Sequence, residues 1–224
     1  MRNPRYLDEE NQSQTSAVDM LHGNWVSLVD TAQNSSLYLI DSLLGIGVNV
    51  ESRNGQGWTA MQTAASRGHR KVVERLLSKG ANVNAASSYS YGLTALQAAA
   101  QGGHLEAVNL LLSKGAEINT APSELYGRTA LQAAAEGGHL EVVDILLSEG
   151  AEVDAAPSYS HGRTALQAAA QGGHLEVVER LLGSGVDVES KTHNGEQHYS
   201  SRFVQITIVL PKDYATQERH DRVV

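Results

Sequence analysis

The chain has 224 residues, a formal net charge of −8 and no cysteine. The acidic balance argues against nucleic acid as a partner, since phosphate neutralisation needs a basic face, and the lack of thiols excludes a disulfide framework and cysteine chemistry. No stretch approaches the roughly 18–20 apolar residues of a membrane span, and the opening residues have two arginines with no apolar run behind them, so a soluble intracellular protein, cytoplasmic or nuclear, is expected.

In chain order, residues 1–25 carry no periodic pattern and are expected to be disordered or poorly ordered. Residues 26–57 read as a degenerate copy of a unit that becomes clear afterwards. At an offset of 33, Leu28 corresponds to Met61, Ala32 to Ala65, Leu43-Leu44 to Leu76-Leu77 and Gly47 to Gly80. This copy has Ser35-Ser36 where the others have Gly-His, and it places polar Asp41 and Ser42 on its second helix. Terminal copies of a stack are expected to be atypical because one face meets water, so it reads as an N-terminal cap. Residues 58–190 then hold four copies: the string around Thr59, Thr94, Thr129 and Thr164 recurs every 35 residues. A fixed period in the range of about 20–50 residues indicates a stacked architecture, with a long surface in place of an enclosed pocket.

The copy from Tyr126 to Ser160 shows the unit. Thr129 and Gln132 form T-x-x-Q, a capping box in which hydroxyl and amide satisfy reciprocal backbone donors at a helix start. Gly127 suits the turn leading in. The first helix is Ala-rich (Ala130, Ala133, Ala134, Ala135), which lets neighbouring helices approach closely, and it stops at Gly137-Gly138. A second helix runs from His139 to Ser148 with Leu140, Val143, Leu146 and Leu147 on one stripe. Gly150 ends it, and Pro157, Ser158 and Ser160 mark a turn-rich linker.

Gly127, Thr129, Leu131, Ala134, Ala135, then Gly138, His139, Val142, Val143, Leu146, Leu147, then Gly150, Ala151 and Val153 resemble the ankyrin repeat, in phase and four times over. The resemblance implies an all-α repeat solenoid, with helix-turn-helix units joined by β-hairpin loops and about five stacked copies. The family's Pro is Ala and its His is Gln in every copy; Gln keeps both the acceptor and the donor of the capping box. The period of 35 exceeds the family's usual 33, which places two extra residues in the loop at Ala155–Ser160 and predicts longer hairpin fingers. The near-identical, Ala-rich copies also resemble ankyrin arrays of fungal multi-repeat signalling proteins.

Several motifs carry no chemistry. His69, His104, His139 and His174 occupy equivalent positions of successive copies, and helices about 8–10 Å apart cannot bring them to the ~2 Å that zinc requires; structural hydrogen bonding is expected. Gly45-Ile46-Gly47 lacks the rest of a dinucleotide loop. Glu106, Glu141 and Glu176 recur with the repeat, facing solvent. No catalytic, cofactor or metal site is expected, and no small-molecule substrate.

In ankyrin proteins partners dock on the hairpin tips and the exposed edge of the first helices. Carried over by motif, those positions form rows that vary while the framework stays constant. After the turn glycine come Trp58, Leu93, Arg128 and Arg163. Before it come Gln56, Tyr91, Tyr126 and His161. The first helices end at Ser66-Arg67, Gln101-Gly102, Glu136-Gly137 and Gln171-Gly172. The resemblance thus implies a monomeric, non-enzymatic interaction module or scaffold. Its partner would be another protein, met at Trp58, Arg67, Tyr91, Leu93, Tyr126, Arg128, Glu136, His161 and Arg163, with an apolar anchor near Trp58 and acidic groups near Arg128 and Arg163. The alternative is a truncated C-terminal sensor array of a larger NACHT-type signalling protein with no activity of its own.

Residues 191–224 form a non-repeat tail. Val204, Ile206, Ile208 and Leu210 alternate with Gln205 and Thr207, a strand pattern. With no capping helix recognisable, an unstructured tail is expected; a packed segment covering the last copy is the alternative.

Overall fold

A computed structural model describes residues 27–85, 93–121, 127–156 and 163–186; the rest of the chain, including both terminal segments, lies outside the described residues. Ten helices are present among them, in five helix-turn-helix pairs. The pairs are α1 (Leu28–Gln33) with α2 (Leu37–Gly45), α3 (Ala60–Ser66) with α4 (Arg70–Ser78), and α5 (Ala95–Gln101) with α6 (Leu105–Ser113). They continue with α7 (Ala130–Glu136) and α8 (Leu140–Ser148), then α9 (Ala165–Gly172) and α10 (Leu175–Gly183).

Each first helix starts at a capping box. Thr59, Thr94, Thr129 and Thr164 accept from the backbone N–H of Gln62, Gln97, Gln132 and Gln167, whose side chains accept in return from the N-cap N–H. In α1 the same box is built by Ser27 and Asp30. Glycine ends each unit's turns: Gly68, Gly103, Gly138 and Gly173 take φ near +70° between the two helices, a conformation that costs residues with a Cβ about 1–2 kcal/mol. In the N-terminal copy Ser35 takes that position, at φ 58°.

The core is continuous along the stack. First helices contribute alanines and one larger residue, Met61, Leu96, Leu131 or Leu166, all buried. Second helices contribute a Val-Val-Leu set such as Val72, Val73 and Leu76, each fully buried and each stabilising by about 1.5–3 kcal/mol. In α8 the buried set is Val142, Val143 and Leu146. Leu140 and Leu147 are half-buried and pack against this core at its margin, with Val142 added to the stripe. Consecutive first helices pack more extensively on each other than consecutive second helices do. Alanine permits that approach, and a stack tighter on one side bends toward it; the first helices therefore line the concave side.

The connection between the N-terminal copy and the first regular one is a closed hairpin. Arg53 and Thr59 form an antiparallel bridge, Asn54 Oδ1 accepts from the N–H of Gln56 and Trp58, and the Arg53 guanidinium donates to Gly57 O at 2.8 Å. The longer fingers expected in later copies reach into residues 157–160 and their counterparts, outside the described residues.

Candidate interaction surface

Which side chains can meet a partner depends on which are already committed to holding the stack together. Three kinds of hydrogen-bonded seam recur along the stack, the histidine seam at all four junctions and the other two at three junctions each. The first uses histidine: Nε2 of His69, His104, His139 and His174 lies 3.0–3.1 Å from the carbonyl oxygen of Gln33, Ser66, Gln101 and Glu136, at the end of the preceding copy's first helix. A carbonyl only accepts, so Nε2 carries the proton. The rings of His104, His139 and His174 sit so close to glycine that little else fits. A Cβ on Gly103 would lie 2.4 Å from His139 Nδ1, and one on Gly137 would lie 2.4 Å from His139 Nε2. The four histidines are thus stacking groups, each joined to the backbone of its predecessor.

The second seam uses the capping-box glutamine. Gln62 Nε2 donates to Ala85 O and Leu93 O at 3.1 and 2.7 Å, Gln97 Nε2 to Thr120 O at 3.2 Å, and Gln132 Nε2 to Ala155 O at 2.9 Å. Oε1 fixes the helix start while Nε2 fixes the base of the following loop. The third seam runs below the second helices. Asn84 Oδ1 accepts from Glu117 N–H and its Nδ2 donates to Gly115 O; Asn119 does the same with Glu152 and Gly150. Glu51 stands in at the first junction, accepting from Asn82 N–H at 2.7 Å.

Ion pairs add to the first and last junctions. Arg75 on α4 pairs with Asp41 on α2, and Arg180 on α10 with Asp144 on α8. Asp41, read from sequence as part of a water-facing cap, lies instead between copies. At the two middle junctions the corresponding positions hold Glu74 with Leu110 and Asn109 with Ile145.

Against this framework the variable rows stand out. Trp58 and Leu93 are half-buried, Arg163 and Arg67 exposed; Arg67 caps the C-terminus of α3. Arg128 and Glu136, placed in the rows as separate contacts, form one two-pronged pair: Nε to Oε2 at 2.6 Å and an Nη2–H bond to Oε1 at 3.1 Å. Both side chains remain over one-third exposed. Spaced eight apart, outside the i+3/i+4 neighbours of a helix, this pair left no signal in the sequence. Tyr91, Tyr126 and His161 lie outside the described residues.

Among the described residues no group of three or more His, Asp or Glu side chains could hold a metal ion, and no helix is long and apolar enough to cross a membrane. A comparison with curated proteins gives no match. A family profile for ankyrin repeats, three copies long, matches residues 28–122 and 121–192. With the capping boxes, the glycine–histidine turns and the stacked helix pairs all in place over that span, the chain belongs to the ankyrin-repeat family.

Proposed function

We propose that this array is a scaffold that binds a partner protein along its concave side, through the hairpin tips and the exposed edge of the first helices. Ankyrin repeats are in general protein–protein interaction modules and typically non-enzymatic. The observation that carries the reading for this chain is a contrast between positions. Thr, Gln and His recur in every regular copy, whereas the side chain after the turn glycine changes from Trp58 to Leu93 to Arg128 to Arg163, even where, as at Leu93, the backbone of that position accepts a seam hydrogen bond. Trp and Arg are residue types that dominate interface energetics. A partner with an apolar anchor against Trp58 and Leu93 and an acidic group against Arg163 matches the gradient. Arg128, held by Glu136, offers a fixed rather than a free cation. An intracellular setting, cytoplasmic or nuclear, goes with this reading. A second reading, as the sensing end of a larger NACHT-type protein, predicts the same surface and rests on the near-identity of the copies.

The test is affinity capture from cell lysate by the wild type, by Trp58→Ala/Arg163→Ala and by Lys71→Ala, an exposed position on the opposite, second-helix side. At matched thermal stability, a protein retained by wild type and Lys71→Ala but lost by the double variant supports the concave face. Equal recovery by all three sinks it.

A further inference from the structure

The first regular copy departs from its successors at one corner. Between its two helices it reads Arg67-Gly68-His69-Arg70-Lys71, where the next three copies read Gly-Gly-His-Leu-Glu. At the positions of Gly102, Leu105 and Glu106 it thus carries three cations, all exposed. Two of them sit where they weaken their own helix. Arg70 and Lys71 open α4, and the positive end of a helix dipole disfavours cations; α6, α8 and α10 place Glu106, Glu141 and Glu176 in that turn. Arg70 also takes the position at which Leu105 and Leu140 pack against the core. No stacking role offsets these losses. Among the described residues none of the three cations enters an ion pair, and Lys71 makes none with Glu106 at the same position of the neighbouring helix. Arg75 serves the junction instead, through Asp41. The charge is also local: residues 53–85 hold six Arg or Lys and one acid, residues 127–156 one Arg and six acids.

We propose that this corner docks a short acidic segment of another protein, whose carboxylates meet Arg67, Arg70 and Lys71. Guanidinium groups suit that occupant, since each can give a carboxylate two parallel N–H bonds. The neighbours set its extent. On the C-terminal side Glu106 repels an anion. On the N-terminal side the position matching Lys71 is Tyr38, 79% exposed, on α2, which packs against α4. Adjacent helices lie about 8–10 Å apart, a span of about three extended residues. A run of carboxylates with an aromatic side chain about three residues further on therefore covers the cations and Tyr38 together. The same confinement disfavours nucleic acid and anionic membrane. Both present charge over a far wider front, on which the exposed Glu106, Glu141 and Glu176 oppose them. The corner lies at the opposite end of α3 from Trp58, so it is separate from the row after the turn glycine and is lost or kept independently of it.

The test uses the full chain and two fluorescein-labelled peptides, four glutamates followed by phenylalanine and four followed by alanine, read by fluorescence anisotropy. Wild type should bind the phenylalanine peptide more tightly than the alanine one, and both more weakly as salt rises. Lys71→Glu should weaken binding about tenfold. Lys79→Glu, an equal charge change at the exposed far end of α4, should weaken it less than about twofold. Tyr38→Ala should cancel the preference for phenylalanine. Arg70→Leu/Lys71→Glu, which gives this copy the residues of its successors, should lose the peptide yet unfold at a higher urea concentration than wild type, so lost binding is not lost folding. Equal weakening by Lys71→Glu and Lys79→Glu, an unchanged or lower urea midpoint for the double variant, or no binding by wild type at low salt overturns the proposal. So does tighter binding to a single-stranded oligonucleotide or to phosphatidylserine vesicles at the same charge concentration, which gives the corner to nucleic acid or membrane. A phenylalanine preference that survives Tyr38→Ala overturns the part given to Tyr38.

Discussion

The glycine–histidine contact between copies sets a cost that can be worked out for Gly103→Ala. Gly103 has φ +68°, so any L-residue there carries a strain of about 1–2 kcal/mol. The new Cβ would also lie 2.4, 2.6 and 2.7 Å from Nδ1, Cε1 and Cγ of His139. The ring must shift and weaken its bond to Gln101 O, a loss of about 0.5–1.5 kcal/mol. Together these come to about 1.5–3.5 kcal/mol. Gly115→Ala is the control: it has φ +82° but nothing within 4 Å of its Cβ, so the strain alone, about 1–2 kcal/mol, applies. Urea denaturation of both, read as midpoint and slope, should separate them by about 1 kcal/mol. Adding His139→Ala to Gly103→Ala removes the ring that the methyl strikes, so the double variant should fall short of the summed losses by about 1 kcal/mol. If Gly103→Ala and Gly115→Ala unfold at the same midpoint, or the double variant is additive, the ring contact does not contribute as argued.

Four further outcomes follow from the same geometry. Gln97→Ala strips a buried residue that both caps α5 and holds Thr120 O, and should cost about 2–3 kcal/mol in urea denaturation; Gln97→Glu, which keeps the acceptor and loses the donor, should fall between that and wild type. Leu111→Ala, at a fully buried position, should cost about 2–5 kcal/mol, whereas Tyr38→Ala, 79% exposed, should stay within about 0.5 kcal/mol by the same assay. Ser35→Gly relieves the left-handed strain of the N-terminal turn and should raise stability by about 0.5–1 kcal/mol net of the added chain entropy; a lower thermal midpoint contradicts it. Asp41→Ala and Asp144→Ala remove partly exposed ion pairs, so each should cost no more than about 1 kcal/mol at low salt, and the loss should shrink in 1 M salt.

What the sequence made legible was what depends on near neighbours. Thr129 and Gln132 are three apart, so their capping box can be read without knowing any packing, and all four regular first helices start where it places them. Gly138 could be assigned its left-handed turn for the same reason. The seams were out of reach because their partners lie 23 to 38 residues away, and nothing in a capping glutamine announces that its spare Nε2–H bonds will serve the next loop. Histidine was read as a hydrogen-bonding group, but not as one that joins two copies. On the candidate surface the alternation of residue types was visible, while the mutual engagement of Arg128 and Glu136 was not, since it depends on how the turn at Gly127 delivers the guanidinium to the end of α7.

Reusing the same seam atoms at every junction explains how nearly identical copies can carry distinct surfaces. Junctions are closed by Thr, Gln, His and Gly side chains or turns that repeat with the period, and the residue after the turn glycine takes part, as at Leu93, through its backbone carbonyl, so its side chain can pass from Trp58 to Arg163. The junction ion pairs follow the opposite logic. Arg75 with Asp41 and Arg180 with Asp144 occur only at the first and last junctions, where a copy has a neighbour of unlike sequence or no further described neighbour. In a stack whose middle copies are interchangeable, an ion pair that Leu110 and Ile145 cannot make distinguishes the end junctions from the middle ones. The stack itself is held by the repeating seams, and on the proposed reading recognition falls to a row of side chains that differs from copy to copy.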